Sequence, residues 1–185
     1  MSEEKNTPEA VEQEPLTETE INEQTQFRIN KMNQLAEQGL EPFGRKFDWS
    51  HHAQDIADDF EELSEKETVV RLAGRVMAIR GHGKTAFLDL LDKTGRIQLY
   101  VRKDALGEDS YGIIKLMDIG DIIGVSGTVF RTHMGELSIK AVSLEILSKA
   151  LRPLPEKWHG LKDIETRYRQ RYVDLIVNPD VRKTF

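Results

Sequence analysis

The sequence contains no cysteine. Disulfides and thiolate chemistry are excluded, and a reducing compartment such as the cytoplasm is the expected setting. Long apolar runs are missing as well. No window approaches the ~18 consecutive apolar residues of a membrane span. The opening Met1-Ser2-Glu3-Glu4-Lys5 lacks the apolar stretch of a secretory leader, so no membrane partner is expected. Catalytic groupings are equally scarce. The histidines at 51, 52, 82, 133 and 159 fall mostly in loop-like stretches without an evident partner. His51 and His52 are adjacent, so their side chains diverge in most backbones, and neither a cysteine nor a suitably spaced acid completes a metal site. Gly81-His82-Gly83-Lys84-Thr85 echoes the end of a phosphate-binding loop. That loop needs a glycine where Ala78 stands and a helix where a strand pattern follows, so nucleotide binding there is rejected.

Acidic charge is abundant only locally. The net charge is -6, yet residues 1–24 carry eight acids against the single base Lys5, and the rest of the chain is almost balanced. Residues 69–84 hold Arg71, Arg75, Arg80 and Lys84 and no acid, a stretch suited to a polyanion in spite of the acidic total. Residues 1–17 have many glutamates, Pro8 and Pro15, and too little apolar surface to offset ordering entropy, which predicts a disordered acidic tail.

What the chain does contain begins with an amphipathic helix over residues 18–38, where Ile21, Arg28, Ile29, Met32, Leu35 and Ala36 recur near a 3.6-residue period. Thr17 and Glu20 suit a capping box, and Gly39 a stop. Arg28 and Lys31 lie on its polar face. They are read mainly as solvated charges of a packed helix, and otherwise as secondary RNA contacts together with Lys84. Short helical pieces complete a helical extension over 18–66. Residues 67–148 then read as strands at 69–80, 85–91, 96–102, 122–130 and 137–147, with one helix at 110–117. Five strands with a helix between the third and fourth match the OB barrel, giving a mainly β fold class. Residues 149–185 form a Pro-containing linker, a helix over 163–176 carrying Arg167, Arg169 and Arg171, and a first helical turn at Pro179 that breaks off at Phe185.

Alternation assigns the faces of the barrel. Leu88, Leu90, Ile97, Leu99 and Val101 point inward, so Phe87, Asp89, Arg96, Gln98 and Tyr100 point outward. An outward aromatic beside an outward amide suits a nucleobase, through stacking and edge hydrogen bonds. Arg80 ends the first strand, within reach of a phosphate or a base. Glu136 begins the fifth, where a carboxylate suits base donors rather than phosphates. The pattern alone leaves base binding, protein docking and neutral surface open.

Specific stretches then carry a resemblance. Gly83-Lys84, Gly95-Arg96-Ile97-Gln98-Leu99-Tyr100-Val101, Gly120-Asp121-Ile122 and Gly135-Glu136-Leu137-Ser138-Ile139 resemble the anticodon-binding barrel of bacterial class II lysyl-tRNA synthetases, a barrel shared by the aspartyl and asparaginyl enzymes. Ala150-Leu151-Arg152-Pro153-Leu154-Pro155-Glu156-Lys157-Trp158-His159-Gly160-Leu161-Lys162-Asp163 and Arg167-Tyr168-Arg169-Gln170-Arg171-Tyr172-Val173-Asp174-Leu175 are similar to the lysine enzymes in particular. The resemblance implies that Phe87 stacks on the central uridine of a U-rich lysine anticodon. It implies that Gln98 and Arg80 hydrogen-bond its bases and that Glu136 reads an adjacent base edge. It places ATP, magnesium and all catalytic residues in a domain beyond Phe185, so the chain alone is expected to hold no cofactor and to be inactive. The family's homodimer relies on that domain, which favours a monomer here. The alternative is a stand-alone RNA-binding or protein-docking OB module.

Overall fold

A computed structural model describes residues 18–44, 46–155 and 164–185. The acidic tail, the capping role expected of Thr17 and the linker stretch 156–163 lie outside them. The chain divides into two compact units, one over Glu23–Leu154 and one that includes Pro155–Phe185.

Helix α1 (Glu18–Glu37), which carries the start of the first unit from Glu23 onward, stops where Gly39 takes a left-handed φ of 73° and the Leu40 N–H closes back on the Leu35 carbonyl. Short helices α2 (Ala53–Asp58) and α3 (Phe60–Glu65) follow. Five strands then close a barrel in the order β1-β2-β3-β5-β4: β1 (Val69–His82), β2 (Thr85–Leu91), β3 (Arg96–Arg102), β4 (Ile122–Arg131) and β5 (Leu137–Ser148). All neighbours are antiparallel except β3 and β5. The alternation in β2 and β3 is met residue by residue. Leu88, Leu90, Leu99 and Val101 are fully buried, Ile97 nearly so, and the intervening residues are partly or fully exposed.

Strand β1 serves two partners. Residues 69–75 pair with β4 and residues 75–82 with β2, so the barrel turns its corner at Gly74 and Arg75. A Cβ on Gly74 would sit 3.1 Å from the Leu91 carbonyl oxygen, which explains glycine at this close approach. Gly127 is tighter still. A Cβ there would lie 2.1 Å from the Lys140 carbonyl oxygen, beside the register shift between Ser126 and Gly127. The apolar core is continuous with the extension: Leu35, Ala53, Ile56 and Leu63 are buried in the same cluster as Val70, Leu72, Val76, Ile123, Val125 and Ile139. Each valine, leucine or isoleucine among them contributes roughly 1.5–3 kcal/mol of transfer free energy when fully buried.

Strands β1, β4 and β5 run one or two residues past the ends expected at 80, 130 and 147, and two helical stretches differ from expectation. The insertion between β3 and β4 starts at Lys103, not Ser110, as α4 (Lys103–Leu106), α5 (Glu108–Gly112) and a 3-10 turn (Ile113–Leu116). Gly107, at φ 85°, separates α4 from α5 and is the residue preceding α5, in place of the side-chain cap expected at Asp109 or Ser110. In the second unit the single helix expected over 163–176 is two, α6 (Ile164–Arg169) and α7 (Arg171–Val177), because Gln170 adopts φ -118° and ψ 56°. Asp174 organises this break, accepting hydrogen bonds from Arg167, Arg171 and Asn178. Helix α8 (Pro179–Thr184) follows, with proline at its start as the sequence predicts.

Candidate nucleic-acid interface

Strand register sets two parallel rows on the outer face of the barrel. Arg80 pairs with Phe87, Phe87 with Tyr100 and Tyr100 with Lys140, which makes a row of cation, ring, ring, cation across β1, β2, β3 and β5. Beside it, Asp89 pairs with Gln98, Gln98 with Ser138 and Ser138 with Phe130. The sequence placed Phe87 and Gln98 on one face, and the register makes them diagonal neighbours there.

The rings support one another. Phe87 and Tyr100 have centroids 5.1 Å apart at 42°, and Tyr100 meets Phe130 edge-on at 5.7 Å. Phe130 reaches Tyr100 across β5 because the residue between them there is the small Ser138. This buttress was not foreseen. It needs the parallel closure of β3 on β5, which no local pattern reveals.

Polar groups on the face are partly committed. The Ser138 hydroxyl donates to Gln98 Oε1 at 3.0 Å, which orients the amide and leaves its NH2 as the donor. Arg80, half-exposed, donates from Nη2 and Nη1 to the two carboxylate oxygens of Asp89 at 2.7 and 3.1 Å. Glu136 lies in the turn just before β5 rather than in the strand. It is exposed, with its backbone held by Thr132: the Thr132 N–H donates to the Glu136 carbonyl at 2.9 Å, and Thr132 Oγ1 accepts from the Glu136 N–H at 3.1 Å. Only Leu137 separates it from Ser138, the cross-strand partner of Gln98. Lys84 is exposed in the two-residue β1–β2 turn, at the end of the hairpin that carries Phe87.

Two expected secondary contacts are turned inward. Arg28 is 8% exposed, with Nη1 within hydrogen-bond distance of the Ile119, Ala150 and Arg152 carbonyls at 3.0, 2.9 and 3.3 Å. Lys31 donates to the Met117 carbonyl at 3.3 Å and to Asp118 at 2.7 Å. Nη1 of Arg28 and Nζ of Lys31 are thus engaged by the protein's own acceptors, and both side chains are turned into the fold instead of standing as solvated charges. The acceptors lie 86 to 124 residues away in sequence, beyond any helical periodicity. Alongside them the fully buried Lys149 bridges Asp118 and Asp121 at 2.8 and 2.7 Å. Burial alone would raise the Asp118 carboxyl, but hydrogen bonds from Lys149 and Lys31 outweigh it and hold the group below the usual carboxylate range. The basic stretch 69–84 is likewise dispersed. Arg75 donates to the Gly120 carbonyl at 2.7 Å, with burial drawing its guanidinium below its ordinary value against the pull of Asp121, and Arg71 lies over the Phe47 ring.

Comparison with known proteins agrees with this geometry. Residues 70–147 match the family described as OB-fold nucleic acid binding domain. Lysine–tRNA ligase of Bacillus subtilis is 54% identical over 178 residues, covering 94% of this chain and 36% of that enzyme. The lysine–tRNA ligase of Carboxydothermus hydrogenoformans is 55% identical over 166 residues, 90% of this chain and 34% of that enzyme, and that of Oceanobacillus iheyensis 53% over 171 residues, 90% and 35%. The chain thus spans about a third of the length of the curated relatives it matches. Residues 70–147 close a five-stranded barrel and match an OB-fold nucleic-acid-binding family, and the chain that carries them is similar to the N-terminal third of lysine–tRNA ligases.

Proposed function

We propose that the outer face of β1, β2, β3 and β5 reads the U-rich anticodon of a lysine tRNA, as the tRNA-binding part of a lysine–tRNA ligase. The observation that carries the proposal is the Phe87–Tyr100 pair beside the Gln98 amide, whose Oε1 accepts from Ser138 so that its NH2 remains to donate. Uracil offers carbonyl acceptors to that NH2 and a π face to Phe87. Arg80 and Glu136 add a donor and an acceptor for neighbouring base edges, and Lys140 and Lys84 lie where a phosphate backbone can be met. The ligation chemistry, with its ATP and magnesium, is assigned to a part of the protein outside these residues, and the setting to the cytoplasm, where translation takes place. Among the described residues no helix is long and apolar enough to cross a membrane.

A titration of the chain with anticodon stem-loops tests this. A U-rich loop is expected to bind more tightly than loops of unrelated sequence, with affinity falling as salt rises. Equal affinity for all loops removes the anticodon reading and leaves a non-selective RNA binder. Absence of RNA binding favours the protein-docking use of the barrel.

A further inference from the structure

The Arg80–Asp89 pair sits inside the reading face, not at its edge. Arg80 is the cross-strand neighbour of Phe87, and Asp89 the cross-strand neighbour of Gln98. The carboxylate is therefore flanked by the two residues that would hold a base. A carboxylate in such a position is costly to an RNA-binding surface, because it repels the phosphates that supply most non-specific affinity. Its compensating use is visible in its partner. Both terminal guanidinium nitrogens of Arg80 are tied to Asp89 through a two-point bridge, which sets the plane of the group and cancels its charge. An arginine bound in this way keeps outward N–H donors for a base edge, but is no longer a bare cation that attracts any phosphate.

We infer that Asp89 is a specificity-determining positioning residue: it neutralises and orients Arg80 so that the face selects bases instead of gripping the RNA backbone. The inference rests on the anticodon reading proposed above. Asp89 acts through Arg80 and repels backbone that approaches in the wrong register, so its contribution falls on discrimination more than on affinity. A purely structural ion pair would do neither, since Asp89 is half-buried on an exposed hairpin and its loss would alter only the unfolding midpoint.

The test is a set of titrations across a salt series with U-rich and unrelated stem-loops, using the wild-type chain, Asp89→Asn, Arg80→Ala and the double variant. Asp89→Asn is expected to bind unrelated loops a few-fold more tightly and to lose roughly tenfold in discrimination. The slope of log affinity against log salt should steepen by about 0.7, the value for one additional single-strand phosphate contact. Adding Arg80→Ala should return the slope to its wild-type value. If the wild type discriminates and Asp89→Asn keeps both its discrimination and its salt slope, the inference fails while the anticodon reading stands. An Asp89→Asn effect that persists unchanged on the Arg80→Ala background also overturns it. If the wild type itself does not discriminate, both readings fall together.

Discussion

Two clusters of cations in the first unit are built from the same residue types and differ in one respect. In the cluster of Arg28, Lys31 and Lys149, donors meet backbone carbonyls or the carboxylates of Asp118 and Asp121, and Lys149 is fully buried. On the outer face proposed to read the anticodon, Arg80 is half-exposed with one carboxylate partner, and Lys140 is exposed beside a ring. The first cluster joins α1, the turn before β4 and the segment leaving β5. Its charges are spent on holding these pieces together. The second leaves donor capacity at the surface. Residue type does not separate a structural cation from a binding one; the satisfaction of its donors does.

Breaking the buried cluster should give the largest effect. Lys149→Ala leaves Asp121 buried beside Asp118 without its cation and is expected to cost about 3–5 kcal/mol of stability, read from urea unfolding. Stem-loop affinity of the fraction that remains folded should be unchanged. A weakened affinity with an unmoved midpoint would reverse the division drawn here. On the reading face the pattern inverts. Phe87→Ala should weaken U-rich stem-loop binding by about 1–3 kcal/mol with little change in the midpoint, because the ring is only half-buried. Equal binding by the variant would remove the stacking role.

Gln98→Ala should be milder, about 0.5–1.5 kcal/mol for the loss of one neutral hydrogen-bonding group, and should blunt discrimination among anticodons more than total binding. Unchanged discrimination would make Gln98 ordinary surface. The smallest effect concerns protons. The Asp118 carboxyl is held below its ordinary value in the folded chain. Its stabilising contribution is therefore complete above the usual carboxylate pKa and is lost as pH falls through the depressed value. Urea midpoints should decline on acidification, and Asp118→Asn should flatten that part of the decline. An identical pH profile for the variant would remove Asp118 from the account.

The barrel was legible in the sequence because β2 and β3 are half-buried strands, and a period of two then names each face. Phe87, Gln98 and their shared side follow from it. What escaped depends on distant partners. Arg28 sits on what looks like the polar face of α1, yet three carbonyls more than ninety residues on in the chain close over it. The meeting of Tyr100 with Phe130 requires β3 to lie beside β5 and Ser138 to be small. The break at Gln170 shows in no glycine or proline, since it is set by how Asp174 gathers Arg167, Arg171 and Asn178.

The short parallel seam between β3 and β5, where Gln98 meets Ser138, has a consequence for the order of events. The β2–β3 hairpin is local and can form early, but it holds Gln98 without orienting it. The orienting hydroxyl arrives only when a loop of 40 residues has closed, after its closure entropy has been met. The Gln98 amide, proposed above to meet a base, is thus also a clasp of the barrel. A bound base that engages it should slow hydrogen exchange of the β3 and β5 amides more than that of β1 and β4, because it adds a contact to the residue that spans their seam.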